Sequence, residues 1–443
     1  MKPQVVAFPR NESDVIKIIK FAKRYHVSIT PRGAGTGLVG SALGRGIILD
    51  MRNFDKIKLG ADHINVGSGV FKGCLDKILK KQGRILGPDP SIGPFCTMGG
   101  LIGTNASGIH SLRYGSVIDN IIQVKMIDSF GSIIKLPGKY KPDIIKKIHQ
   151  RNNTFPKVSK NSCGYRIDKV FSEKDLHKLI AGSEGTLGIV TGAKLRTYPS
   201  PKNILLHVIH YKTISDAAKD VPKILDLKPS AVELVDSNII KHIKMTVPST
   251  GCLLFVELDN ISQQNRKQIH KIISGKIIKT ESSAVKIKKI WSFRNSALAY
   301  SLQSITKNET MPTLIEDAVV PVKRLPLLLK ILEMICKKYT LKVIIYGHAG
   351  NGNLHIRPIL KQKDLGLIKD IATEFFTGII SIGGSITGEH GDGLARSEFV
   401  KLQYDTKTYS IFKHIKKQFD PKNILNPGQI ISSQSTVTRN LKI

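Results

Sequence analysis

The chain has 443 residues, 41% of them hydrophobic, and 68 Lys and Arg against 34 Asp and Glu give it a formal net charge of +34. The length supports two or three domains with ample core, and no apolar run reaches the roughly 18 residues that a membrane-crossing helix requires. Cys74, Cys96, Cys163, Cys252 and Cys336 contain no C-x-x-C pair, which fits free thiols in a reducing cytoplasm and excludes a cysteine-ligated iron–sulfur cluster within the chain.

The first fifteen residues lack an apolar h-region, so no secretory signal is expected. "ESDVIKIIKFAKRYH" (12–26) has a helical apolar period and an acidic start. "YHVSIT" then reads as a short strand leading into "PRGAGTGLVGSALGRG". Gly35, Gly37 and Gly40 satisfy G-x-G-x-x-G, but a Rossmann fingerprint needs a helix to start there and an acidic residue about 20 positions on. Here Gly44 and Gly46 oppose a helix, and "GIILDM" is a β-branched strand pattern. No Gly-Lys-Ser/Thr follows, which removes the Walker reading. What is left is a strand-to-strand glycine loop whose N–H groups can form an anion nest, or else a plain turn.

"FKGCLDKILKKQG" (71–83) reads as a helix closed by Gly83. From 87 to 115 the chain is dense in Gly, Ala, Ser and Thr, and "GSEGTLGIV" (182–190) repeats that texture. Glycine is conformationally costly where it is not needed. Several such stretches point to backbone closely approaching a long, flat ligand, with glycine-rich turns of a β domain as the plainer alternative. The texture changes near 199–202. Residues 204–290 alternate strand patterns with lysine-rich helices. Glycine and histidine return together in "YGHAGNGNLHIRP" (346–358) and "GGSITGEHGDGLARSEF" (383–399). His348, His355 and Glu389 are of the types that bind a divalent metal with open positions, and His390 adjoins them. Arg294, in "WSFRNSA", is on residue type alone as compatible with a surface salt bridge as with anion binding.

The charge has two readings. A lysine-rich solvated surface accounts for it, since no block of five or six like charges occurs and aromatics are only 6%. Nucleic-acid binding and contact with an anionic membrane are the alternatives. Specific nucleic-acid recognition is not expected.

Taken in order, "PRGAGTGLVGSALG", "GPDPS", "CTMGGLIGTNASGIHSLRYGSVIDNI", "KNSCGY", "GSEGTLGIVTGAKL", "YGHAGNGNLHIRP", "GEHGDG" and "FDPKNILNPGQI" resemble the FAD-linked oxidases of the vanillyl-alcohol oxidase/p-cresol methylhydroxylase (PCMH) superfamily. Within it they are similar to the branch of D-lactate dehydrogenase, the glycolate oxidase flavin subunit and D-2-hydroxyglutarate dehydrogenase. The resemblance implies an α+β fold. A PCMH-type FAD-binding domain of two α+β subdomains (1–199) precedes an α+β cap or substrate domain with an antiparallel sheet (200–430). The C-terminal segment returns to the FAD domain, and a polar tail follows (431–443).

It also implies a flavin site. Pro31, Arg32, Gly33, Ala34, Gly35, Thr36, Gly37 and Leu38 would wrap the pyrophosphate. Pro88, Thr97, Gly99, Gly100, Gly103, Thr104, Ala106 and Gly108 would line the dinucleotide and ring. Glu184, Gly185, Gly188, Ile189 and Val190 would lie at the adenosine end, and Asn426 would return to the flavin. His348, His355 and Glu389 would hold a divalent metal, zinc or manganese. His390 would be the base and Arg294 the clamp on a substrate carboxylate.

The implied reaction is oxidation of a small D-2-hydroxy acid to the 2-oxo acid. Electrons would pass to a separate acceptor, an iron–sulfur partner protein or a quinone. The expected setting is cytoplasmic, with peripheral contact at the inner membrane face and a homodimer both left open. A metal-free FAD oxidase of an alcohol is the rival within the superfamily, and a basic nucleic-acid- or membrane-surface-binding protein is the rival outside it. Two residues depart from the family pattern: Asn351 replaces a frequent aspartate, and Arg357 follows "NLHI", where it could meet a second acidic group.

Overall fold

The computed structural model describes residues 1–138, 140, 141, 143–242, 246–259 and 263–432. The polar tail expected at the C-terminus lies, from 433 onward, outside them. The first helix, Glu12–Tyr25, forms where its caps and period place it. Asn11 accepts the Asp14 N–H, Val15, Ile19 and Ala22 make the buried stripe, and His26 ends the helix in the left-handed conformation. It packs on a small parallel sheet in the order Val5–Ala7, Ile47–Asp50, Ile29–Arg32. The glycine loop joins Ile29–Arg32 to Ile47–Asp50 with no helix between them, as the sequence reading requires.

A second sheet runs Ile57–Leu59, His63–Gly67, Ile189–Pro199, Ile121–Ile127, Ile133–Leu136, with Arg84–Leu86 paired to the far end of the long strand Ile189–Pro199. The glycine-rich stretch 87–115 passes beside it through the short helices Met98–Thr104 and Ser111–Tyr114.

The third sheet is antiparallel at every pairing described. Its order is Lys276–Glu281, Leu205–Tyr211, Cys252–Leu258, Ala231–Asp236, Lys342–His348, Asn353–Lys361, Glu309–Thr310. One face packs on the helices Ile214–Leu225, Leu325–Tyr339 and Ile368–Ser381 as part of the largest core. The other meets Ala284–Asn295 and Ala297–Gln303 through Val208, Phe255, Trp291 and Tyr346. After Thr406–Phe419 the chain does return to the first sheet: the Ile29 N–H donates to the Ile424 carbonyl and the Asn426 N–H to the Ile29 carbonyl, each at 2.7 Å. Among the described residues no helix is long and apolar enough to cross a membrane, and all five cysteines are free thiols.

Candidate active site

A long cavity runs between the glycine-rich loops and the antiparallel sheet. Every expected pyrophosphate-loop residue from Pro31 to Leu38 lines it, as do Thr97, Gly99, Gly100, Gly103, Thr104, Ala106, Gly108, Glu184, Gly185, Gly188 and Val190. Arg294, His348, His355, Glu389 and His390 line the same cavity. Pro88, Ile189 and Asn426 do not. Pro88 is buried beside it, with Pro90 and Ser91 on the wall instead. Ile189 packs into the core under the first helix. Asn426 braces the wall from behind, its Nδ2 donating to the carbonyls of Ser41 and Glu184.

The wall fits a flat anionic dinucleotide on its own evidence. None of the N–H groups of residues 33–38 makes a hydrogen bond within the described residues, so they are free to form the nest. Ser68 Oγ and Thr97 Oγ1 are buried on the wall without a partner. Gly108 has φ +126°, and a Cβ there would strike the Asp89 carbonyl, so only glycine lets the chain turn at this point.

Strand alternation builds the opposite wall. Tyr346 and His348 on one strand share a face with His355 and Arg357 on the next, Tyr346 lying directly across from His355. His348 Nδ1 is 2.7 Å from Glu233 Oε1, and His355 Nδ1 is 3.2 Å from the Glu316 carbonyl. These partners only accept, so each Nδ1 carries a proton, and in a neutral ring Nε2 is left with a lone pair. Both lone pairs aim at one carboxylate oxygen, Glu389 Oε1, at 2.8 and 3.4 Å. With both rings neutral, three acceptors face one another, an arrangement that a bound cation satisfies. Their spacing is near the roughly 3.3 Å edge of a tetrahedron with bonds of about 2.0–2.1 Å, and the Nδ1 partners are the outer contacts that metal-binding histidines use. Asp317, His355, Glu389 and His390 also cluster within 4.8 Å. Asp317 Oδ2, however, already accepts from the N–H groups of Gly388, Glu389 and His390 and from Thr387 Oγ1, so it shapes the loop and is a poor metal ligand.

His390 stacks on His355 with centroids 5.0 Å apart and turns Nδ1 to Glu316 Oε1 at 3.2 Å, leaving Nε2 for the cavity. Burial lowers its pKa, but Asp317 and Glu316 outweigh that and raise it above the usual histidine value.

Arg294 is not in a surface salt bridge. It is 2% exposed, on the apolar stripe Ile287, Ile290, Trp291, Arg294 of its helix. Its Nε and Nη2 both reach Glu233 Oε2, at 2.6 and 2.5 Å. One edge of the guanidinium is therefore committed, and only the outer end is left for a ligand. Glu233 thus ties Arg294 to His348. Burial pushes its carboxyl up, but Arg294 and His348 prevail and hold it at about 2.

The side chain of Glu184 accepts the N–H groups of Asp392 and Gly393, fastening the "GEHGDG" loop to the glycine wall. Burial pushes both Glu184 and Asp392 up, with repulsion from Asp392 added at Glu184 and from Asp317 at Asp392. Sequence reasoning missed Glu233, Glu316, Ser107 and Lys160. Lys160 Nζ donates to Glu389 Oε2 at 2.9 Å and Ser107 Oγ donates to the same oxygen, which turns Oε1 toward the histidines. Signals exist in the sequence: a lone glutamate in the apolar strand "AVELVD", and a lysine in the small-residue stretch "KNSCGY".

The descriptions "FAD linked oxidases, C-terminal domain" and "FAD binding domain" match residues 200–430 and 3–137. The chain is 29% identical to the glycolate oxidase subunit GlcD of Bacillus subtilis (strain 168), over 98% of this chain and 90% of that protein. It is 28% identical to the D-lactate dehydrogenase of Anaerostipes hadrus, over 97% and 90%. Against the D-2-hydroxyglutarate dehydrogenase of Haemophilus influenzae it is 26% identical over 97% of this chain, which spans 48% of that longer protein. The fold is shared with an alkyldihydroxyacetonephosphate synthase (TM-score 0.67, 19% identity, 95% of this chain and 76% of that one). It is also shared with 6-hydroxy-D-nicotine oxidase from Arthrobacter nicotinovorans (TM-score 0.60, 16% identity, 97% and 92%).

Proposed function

Because the chain belongs to the FAD-linked oxidases, a family of oxidoreductases, we propose that it oxidises a D-2-hydroxy acid to the 2-oxo acid and hands the electrons to a separate acceptor. One observation carries this reading: Arg294, His348, His355, Glu389 and His390 converge on one wall of the cavity whose other wall is the glycine cradle. The named relatives act on acids of this class.

The free end of Arg294 holds the substrate carboxylate through charge-assisted hydrogen bonds. His390, steadied through Nδ1 by Glu316, takes the hydroxyl proton at Nε2. Lys160 and Ser107 fix the rotation of Glu389, and Glu233 fixes both Arg294 and the tautomer of His348. FAD, when bound along the cradle, supplies the acceptor for the hydride from C2. A zinc or manganese ion held by His348, His355 and Glu389 would supply Lewis acidity at the hydroxyl. The electrons then leave to an iron–sulfur partner protein or a quinone. The domain division at 199/200 and a cytoplasmic setting belong to the same reading.

Anaerobic mixing with D-lactate, glycolate and D-2-hydroxyglutarate tests it. At least one should bleach the flavin and yield its 2-oxo acid. A protein that retains FAD but is reduced by none of them refutes the proposal, and full activity after complete metal removal moves the reading to the metal-free alcohol oxidase.

A further inference from the structure

Arg357 is 1% exposed and lines the cavity on the face that carries Tyr346, His348 and His355. A guanidinium this deep normally has a carboxylate against it. Its neighbours do: Arg294 has Glu233, Lys160 has Glu389, and Arg396 has Glu316, with Asp317 at 3.7 Å. Arg357 stands apart. Among the described residues no carboxylate lies within 4.0 Å of it, and its one hydrogen bond runs from Nε to Tyr346 Oη at 3.3 Å. Glu316 attracts it from farther away; Oε1 of that carboxylate is engaged by Arg396 and His390, and its buried Oε2 makes no hydrogen bond, so neither oxygen reaches Arg357. The four N–H groups on Nη1 and Nη2 are left to the cavity.

The position of Arg357 relative to Arg294 is informative. Arg294 lies over the ring of Tyr346, 5.6 Å from its centroid, and Arg357 sits at the hydroxyl of the same side chain. Two guanidinium groups therefore flank one tyrosine, both with free N–H groups and both lining the same cavity. Arginine presents its donors as a planar fork that matches a carboxylate. A substrate with a single carboxylate would satisfy one fork and leave the other buried and unpaired, which costs affinity.

We propose that Arg357 is a second anion-binding group of this cavity, and that the substrate is a 2-hydroxy acid with a further carboxylate at its other end. This rests on the reading that a 2-hydroxy acid is oxidised here, and it selects diacids over lactate and glycolate. Arg357 binds the distal carboxylate and takes no part in the proton or hydride transfer, so its loss lowers affinity for diacids alone.

The test uses the FAD-loaded full chain and two non-oxidisable probes, 2-oxoglutarate and pyruvate, titrated against the flavin absorbance. Wild-type protein should bind 2-oxoglutarate about 10- to 100-fold more tightly than pyruvate, the range of one charge-assisted hydrogen-bonded contact. Arg357→Gln should erase that difference and leave pyruvate binding and FAD content unchanged. Arg357→Lys, which keeps the charge and serves if the glutamine variant fails to fold, should restore part of it. Equal binding of the two probes by the wild type overturns the proposal, and so does an equal loss for both in Arg357→Gln, which marks a structural role. Turnover is measured in parallel with D-2-hydroxyglutarate and D-lactate. Failure of both as substrates sinks the oxidation reading, whereas the probe titration still decides the role of Arg357.

Discussion

Glu233→Gln removes one charge, keeps the side-chain size and changes no residue that lines the cavity. The wild-type carboxylate accepts Arg294 on Oε2 and His348 Nδ1 on Oε1. A glutamine can keep only one of these contacts. With its oxygen toward Arg294, its amide N–H groups face His348 Nδ1 and force the proton to Nε2, where it opposes metal binding. Turned the other way, it sets N–H against guanidinium. Held at about 2 against an ordinary 4.5, the ionised carboxylate is favoured by about 3 kcal/mol, within the ~3–5 kcal/mol expected for breaking a buried ion pair. The expected result is a loss of about 3 kcal/mol in unfolding free energy together with a roughly 10- to 100-fold weaker metal affinity, the usual effect of removing an outer partner of a metal-bound histidine. Chemical denaturation at neutral pH and metal content after dialysis against a graded chelator measure the two effects. The depressed pKa adds a sign: the stability Glu233 contributes is present above about pH 4.5 and is lost as pH falls toward 2, so the variant and wild type should converge in acid. A variant with wild-type metal affinity and wild-type stability at pH 7 would refute the assignment of Glu233 as the tie between clamp and ligand.

His390→Ala should bind FAD normally and reduce it about 10²- to 10⁴-fold more slowly in anaerobic stopped flow; wild-type rates would end its role as base. The purified protein should be yellow and release intact FAD on denaturation, and flavin that stays with the precipitate would contradict non-covalent binding. His110 joins the two halves of the molecule, contacting Asp89 and, at 2.9 Å, Glu257. Burial opposes its charge, but the two carboxylates prevail and raise its pKa well above the usual value. The stability it contributes is full below about pH 6.5 and is lost as pH rises through the raised value. Melting midpoints of His110→Asn and wild type should therefore differ at pH 6 and converge at high pH, and a constant difference would refute the assignment. If the +34 charge is a solvated surface, duplex DNA should bind weakly and lose affinity steeply with salt, and binding that persists at high salt would overturn that reading.

The sequence alone determined what depends on local order along the chain. Asn11, the acidic first turn and the Val15, Ile19, Ala22 spacing are sufficient for the first helix. Gly44, Gly46 and "GIILDM" are sufficient to show that the glycine loop connects strands. The ordered motifs were sufficient for the family, and the histidine and glutamate types for a candidate metal set. Tertiary structure decided which groups face which. Glu233 meets His348 across 115 positions and Lys160 meets Glu389 across 229. A periodic pattern reports which face of an element is buried but does not identify the partner across the gap. Arg294 occupies an apolar-stripe position of its helix, a pattern visible in the sequence, yet only the strand bearing Glu233 makes that burial affordable. Glu184 lies within a glycine motif of the cavity wall, but its carboxylate is committed to the N–H groups of Asp392 and Gly393, 208 and 209 positions away. For a buried charge the nearest counter-charge decides its role, and folding alone brings that counter-charge close.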